Sequence, residues 1–364
     1  MHTTDQAHRV IFIDLMRAIA VLQMVQGHTI HVFLSADLRT TELPLYAVWN
    51  FMRGMTAPIF MFTAGTVFTY LFHSVKKPFS ANYRVKKGIR RALLLLFLGY
   101  ILKYPTWTVF DFSEVTIDKL QLFFAVDVLQ LIGFSLLILL FILFITEKLK
   151  LNYTTAFVVS SIFFFILSPF IDLIAWISFL PAPIAAYFYS GTGSQFPLFP
   201  WAGYVVSGGI LGCYLAKNPL VFKTARFSIL LAIFGGAFTI TSILSELVLQ
   251  AMNINIYNPQ SAPSTIFLRI GFVLLLTAVV SFISLRVNKI PHLLILVGRN
   301  TLLIYFIHLI ILYGSTWTPG LTLIWGESFS GWLSFGAAVL MLSLMTFMVL
   351  GIHKLKIRNK ELET

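Results

Sequence analysis

Three ionisable residues interrupt one apolar stretch, "DLMRAIAVLQMVQGH", which runs from Asp14 to His28. Their chemistry is limited: a guanidinium fixes an anion, a carboxylate orients or neutralises a cation, and a neutral imidazole moves a proton near pH 7. On an α-helix, at about 100° per residue, the steps from Arg17 to His28 close to within about 20°, and those from Asp14 to His28 to within about 40°. All three therefore share one face, with His31 nearly on it, and His28 stands roughly 16 Å further along the axis than Arg17. Ionisable groups in a lipid-crossing helix are costly unless they face protein or water, and by default they point to function. The structural alternative is an Asp14–Arg17 ion pair that clamps the helix, with His28 a packed histidine. The combination on one face favours a site.

The element that must carry this stripe is a membrane span. Of the 364 residues 58% are hydrophobic and 11% charged, and the mean hydropathy is +0.87, which excludes an ordinary soluble domain. The chain reads as an all-α, polytopic membrane bundle forming one domain over 1–364. Its ten spans lie near 11–34, 55–73, 91–104, 123–146, 153–174, 199–216, 227–250, 266–286, 293–313 and 331–353, with a tail at 354–364. Nine or eleven spans stay open, because the third is short and "WISFLPAPIAAYFY" reads as an interfacial or re-entrant piece. The first apolar segment is too long for a signal core and lacks a small-residue cleavage site, so it is expected to be retained as a span. One cysteine, Cys213, excludes an internal disulfide framework and a multi-cysteine metal site.

Charge sets the expected orientation. Lys76, Lys77, Arg84, Lys86, Lys87, Arg90 and Arg91 fill the joint between the second and third spans. Further basic residues follow at 148–150, 217–226, 286–289 and 354–360, whereas the connections near 175–197, 251–264 and 314–330 hold no Lys or Arg. Ten spans put all these clusters on one side, which the positive-inside rule makes cytoplasmic, together with Arg9 and both termini. The net charge of +12 is thus a topology signal; no basic and aromatic interleaving suggests a nucleic-acid partner.

This frame sorts the other candidates. Asp127 in "FAVDVLQ" falls near the outer end of its span, at a depth similar to His28, and is expected either to orient that histidine or to stand as a helix-end carboxylate. His308 in "IYFIHL" lies toward the outer end of the ninth span, opposite in face to Arg299 if that helix is unbroken. Tyr305 and Gln130 are polar neighbours. Arg53, Arg269 and Glu246 fall on the outer side, where a polar acceptor needs hydrogen-bonding groups and an aromatic platform, for which Trp201 is available. Arg90 and Arg91 start the third span on the inner side. No His and carboxylate cluster has metal-ligand spacing, so no metal is expected, and "GTGSQF" lacks the lysine of a phosphate-binding loop.

Arg17, ten intervening residues and His28 resemble the motif of the acyltransferase-3 family. "IDLMRAIAVLQMVQGH" as a whole is similar to the first span of bacterial relatives of heparan-α-glucosaminide N-acetyltransferase. "RGMTAPIFMFTAG" from Arg53, "FPLFPWAGYVVSGGILG" from Phe196, "GRNTLLIYFIHLIIL" from Gly298 and, more weakly, "VLQLIGFSLL" from Val128 resemble that group's recurring segments. The resemblance implies transfer of an acyl group, usually acetyl, from cytoplasmic acyl-CoA to a hydroxyl or amine of a carbohydrate or glycolipid acceptor across a bacterial inner membrane. The catalytic histidine that the human enzyme carries in the loop after its first span has no counterpart here, and His28 follows the acyltransferase-3 pattern.

On that reading the anionic end of acyl-CoA belongs at a basic mouth offered by Asp14, Arg17, Arg90, Arg91, Arg299 and Asn300. Arg53, Trp201 and Arg269 belong to the acceptor, and His28, Asp127 and His308 to catalysis. His28 acts as general base or is transiently acetylated; the sequence leaves both open. Membrane lipid is an expected partner, and a homodimer stays compatible. The rival class is a proton-coupled transporter or flippase using the same buried charges as a path.

Overall fold

The computed structural model describes residues 11–113, 115–287 and 290–362. Arg9 and Lys289, both used above for orientation, lie outside these residues, as do 363–364 of the tail. In chain order the helices begin with α1 (Ile11–Phe33), α2 (Pro44–His73), α3 (Tyr83–Leu102), α4 (Ile117–Phe124), α5 (Val128–Lys148), α6 (Tyr153–Ile171) and α7 (Ala182–Ala185). They continue with α8 (Leu198–Lys217), α9 (Ala225–Ala251), α10 (Pro263–Arg286), α11 (His292–Arg299) and α12 (Thr301–Tyr313). A two-residue hairpin, β1 (Gly314–Ser315) and β2 (Thr318–Pro319), precedes α13 (Thr322–Trp325) and α14 (Gly331–Leu362).

Among the described residues seven helices, α2, α5, α6, α8, α9, α10 and α14 up to Asn359, are long and apolar enough to cross a membrane; the pair α11 and α12 adds an eighth if it counts as one span. The chain is an integral membrane protein. Helices α1 and α3 are 23 and 20 residues long but more polar: α1 carries Asp14 and Arg17, and α3 opens on Arg84, Lys86, Lys87, Arg90 and Arg91.

Several boundaries differ from the sequence expectation. The stretch 293–313 is not one straight helix: α11 and α12 meet at a 72° bend. Asn300, at φ −104 and ψ 24, leaves the helical region there, and its side-chain amide donates to the Leu296 carbonyl at 2.8 Å. The opposite-face relation between Arg299 and His308 fails for that reason. The fourth expected span starts at Val128 rather than near 123, and α4 precedes it as a separate amphipathic turn of chain capped by Thr116. Helix α2 begins eleven residues earlier than expected, at Pro44. "WISFLPAPIAAYFY" makes only a short 3₁₀ turn and α7.

The chain divides into two compact units, residues 1–56 with 286–364, and residues 57–285. In the first, α1 packs on α11, α12 and α14. Gly298 brings α11 onto the backbone of α1, since a Cβ there would lie 2.2 Å from the Asp14 carbonyl oxygen. The far end of α1 is tied by the segment before α14: Glu327 N donates to Val32 O at 2.9 Å, Phe329 N to Phe33 O at 2.8 Å, and the Phe33 and Phe329 rings stack at 4.9 Å.

In the second unit α8 packs on α5 and α6, and α3 on α5. Lipid gives no hydrophobic drive for helices to associate, so small residues and buried hydroxyls do the joining. Cβ atoms at Gly65, Gly208 and Gly212 would meet the carbonyl oxygens of Val205, Phe62 and Thr66 at 1.8, 2.0 and 2.6 Å, so α2 and α8 run backbone against backbone. Ser168 donates to Ser261 at 2.7 Å and Ser228 to Ser281 at 3.2 Å, satisfying hydroxyls that would otherwise be costly in an apolar interior.

Candidate functional site

The polar face of α1 meets α12 at two levels of the first unit. At the lower level Arg17 donates from Nη2 to Thr301 Oγ1 at 2.8 Å, one residue past the bend, while Asp14 is buried one turn earlier. At the upper level His28 Nδ1 and the Tyr313 hydroxyl are 3.0 Å apart, and the His28 and His308 rings face each other at 5.5 Å, tilted by 50°. Early residues of α1 meet early residues of α12, and late meet late, so the two helices run parallel. The two levels are about 16 Å apart along α1.

Hydrogen-bond chemistry assigns the proton on His308. Its Nδ1 lies 2.7 Å from the Ile304 carbonyl, which can only accept, so Nδ1 carries the hydrogen and Nε2 of the neutral ring carries the lone pair. That Nε2 is fully buried with no hydrogen-bond partner. The Tyr305 ring stands edge-on to the His308 ring at 5.8 Å. His28, by contrast, is in part exposed as a residue.

His31 extends the stripe. Its Nδ1 lies 3.2 Å from Arg53 Nη1, and since a guanidinium only donates, the hydrogen of a neutral His31 sits on Nε2. The Arg53 guanidinium lies 5.6 Å over the Trp49 ring, and its stem passes Gly27, where a Cβ would be 3.4 Å from Arg53 Cγ. The Trp49 indole donates to Gln26 at 2.9 Å, and Gln23 donates to the Met52 carbonyl. Arg39 locks the end of α1, donating to the carbonyls of His31 and Leu34, both at 2.7 Å, and pairing with Glu327 at 3.0 Å. The unit thus holds two neighbouring imidazoles with assigned or assignable nitrogens, a guanidinium beside a third, and a second guanidinium one level away. Such an arrangement can take up and return a proton and hold an anion.

Residues 9–251 match the catalytic region of heparan-alpha-glucosaminide N-acetyltransferase. The chain belongs to that family. It is therefore placed among membrane acetyltransferases, and as an enzyme. The match takes in Asp14, Arg17, His28, Arg53, Arg90, Arg91, Asp127 and Trp201, whereas Arg269, Arg299, Asn300 and His308 lie beyond it. No curated protein matches the chain.

The remaining candidates fall into place within their own units. Arg299 is exposed at the end of α11, and Asn300 is spent on the bend. In the second unit Arg90 and Arg91 are exposed on α3. Asp127 is the N-cap of α5: its side chain accepts from Val128 N at 3.1 Å, its own backbone N–H donates to Gln130 Oε1 at 3.2 Å, and Lys103 pairs with its carboxylate at 3.1 Å. Trp201 and Arg269 do meet, the guanidinium 4.6 Å over the indole ring. Trp201 is not an open platform for a sugar, as its sequence position suggested, because it is only 4% exposed and is enclosed by Phe196, Tyr204 and Arg269.

A polar cavity of about 520 Å³ opens at the adjoining ends of α9 and α10, with Glu246, Gln250, Asn253 and Asn255 in its wall; it holds none of the candidate catalytic residues. Among the described residues no group of three or more His, Cys, Asp or Glu could hold a metal ion. Sequence reasoning missed Thr301, Tyr313 and Gln260. The first two are 284 and 285 residues from their partners, and no local pattern signals them.

Proposed function

We propose that the chain is a ten-span acyltransferase of a bacterial inner membrane, one domain with both termini cytoplasmic. It moves an acetyl group from cytoplasmic acetyl-CoA to an amine or hydroxyl of a carbohydrate-like acceptor on the other side. The observation that carries the reading is the imidazole pair of His28 on α1 and His308 on α12, one level beyond Arg17, in a chain that belongs to an acetyltransferase family. Arg17, Asp14, Arg90, Arg91 and Arg299 serve the anionic end of the donor, with Asn300 acting through the bend it forms, and Arg53 and Arg269 serve the acceptor, with Trp201 acting through the Arg269 guanidinium that it covers. The parallel run of α1 and α12 agrees with first and ninth spans that cross in the same direction.

In this reading His28 Nδ1–H donates to Tyr313, leaving Nε2 as the base. As the acceptor nitrogen or oxygen attacks the thioester carbonyl, its proton passes to His28 Nε2; the collapsing intermediate expels CoA as thiolate, and the proton follows from His28 to sulfur. The buried lone pair of His308 stabilises the transient imidazolium. Asp127 enters as a further orienting group, and its present partners are Lys103 and its own helix.

The test is acetyl-CoA binding and acceptor-stimulated CoA release by the purified protein in nanodiscs. Arg17→Ala is expected to weaken donor binding, and His28→Ala to keep binding while losing release by about 10²- to 10⁴-fold. A folded wild type that neither binds nor turns over acetyl-CoA refutes the transferase and puts the transporter first.

A further inference from the structure

Arg269 of α10 is 7% exposed, and a guanidinium does not deprotonate in a protein. Burial of such a charge is tolerated only with a counter-charge and a full set of hydrogen-bond acceptors. Among the described residues it makes no ion pair. Its Nη2 donates to the neutral Gln260 amide, and its face is covered by Trp201 at 4.6 Å. Its Nη1 is buried with no hydrogen-bond partner. Beside it lies the hydroxyl of Tyr204, a residue 1% exposed, whose oxygen faces the guanidinium as an acceptor while its own hydrogen finds no protein acceptor. A guanidinium held only by neutral groups and a phenol hydrogen without an acceptor therefore meet in the apolar interior of the second unit.

We infer that this cluster binds an oxyanion, a carboxylate or phosphate carried by the acceptor, so that the substrate is an acidic rather than a neutral sugar. One oxyanion accepts from Arg269 Nη1 and Tyr204 Oη together, supplies the missing counter-charge, and leaves Gln260 and Trp201 to hold the guanidinium in place. A neutral sugar hydroxyl would fill one hydrogen bond and leave the charge uncompensated. The inference rests on the acceptor role proposed for Arg269 and adds the class of group it recognises.

The test compares glucuronate, glucose 6-phosphate and uncharged glucose as probes, by thermal shift and calorimetry on the full chain in detergent at low chloride. Saturable binding of one or both acidic sugars, at least about tenfold tighter than glucose, is expected, and the two acidic arms separate a carboxylate from a phosphate. Arg269→Gln should abolish the preference, Arg269→Lys should weaken it, and Tyr204→Phe should weaken it without removing it. Glucose binding as tightly as the acidic sugars, or an unchanged preference in a folded Arg269→Gln, overturns the inference. Should Arg269→Gln fail to fold, the wild-type preference and the Tyr204→Phe variant still decide. Acetyl-CoA turnover without acid preference defeats this inference alone, whereas acid preference without turnover defeats the transferase reading.

Discussion

Gly298 allows a test that touches no proposed catalytic atom. Alanine there would place its Cβ 2.2 Å from the Asp14 carbonyl oxygen and 3.0 Å from the carbonyl carbon, where real Cβ atoms keep at least 3.0 Å. Helices α1 and α11 must then part by about 0.8 Å, the shortfall between those two oxygen distances. The obstacle is helical backbone, which cannot rotate aside, and overpacking of this kind costs about 1–3 kcal/mol.

Thr301 follows three residues later, so the same displacement carries its hydroxyl from 2.8 Å toward about 3.6 Å from Arg17, past hydrogen-bonding range. A hydrogen bond to a charged group is worth about 1.5–3 kcal/mol, which predicts a KM for acetyl-CoA raised about 10- to 150-fold. The assays are thermal unfolding in nanodiscs and initial rates of CoA release. Gly298→Ala should lower Tm by several degrees and raise KM, whereas Thr301→Val should raise KM alone. A Gly298→Ala protein with wild-type Tm and KM would refute both the packing argument and the placing of Arg17 on the donor side.

Three further outcomes follow from the same geometry. His308→Ala should keep acetyl-CoA binding and lower CoA release by at least about tenfold if its lone pair supports His28; unchanged release makes His308 a packing residue. Tyr313→Phe removes one neutral hydrogen bond to His28 and should cut release by about 2- to 12-fold, with donor KM unmoved as the check. Asp127→Asn keeps an adequate helix cap and loses a partly exposed ion pair, so it should cost under about 1 kcal/mol of stability by chemical or thermal unfolding. A loss of release much larger than that stability change would give Asp127 a part in catalysis, and wild-type rates would confine it to capping.

Much of the helical framework was legible because apolar runs of spanning length have few other interpretations, and the polar stripe of α1 stood out against them. The bend at Asn300 was not, since a hydropathy window averages "GRNT" into its oily flanks, and the close approach of Gly298 beside it is to a chain segment almost three hundred residues away. Asp127 was half legible: Asp followed by Gln at the third helical position is a capping box, which fits the helix-end carboxylate that the sequence already offered as one of two roles. Trp201 carried a misleading signal, because an interfacial tryptophan and an enclosed one look alike in sequence. The partners of His28 and His31 were invisible for a simpler reason. Tyr313 and Arg53 come from helices whose register against α1 depends on packing, which no local spacing encodes.

The contact between α2 and α8 bears on motion. Three glycine positions seat against carbonyl oxygens alternately from one helix and the other, Gly65 under Val205, Gly208 under Phe62 and Gly212 under Thr66. Sliding one helix along the other would drive the next side chain into backbone, and rotation would do the same, so the pair behaves as a meshed rack with no low-energy neighbouring position. Whatever rearrangement admits and releases substrates must therefore carry α2 from Ala57 onward and α8 together as one piece. The adjustable parts of that unit are to be sought in helices such as α9, whose side chains at Ile240, Ile243, Leu244, Leu247 and Val248 are each more than half exposed and have less to unmesh.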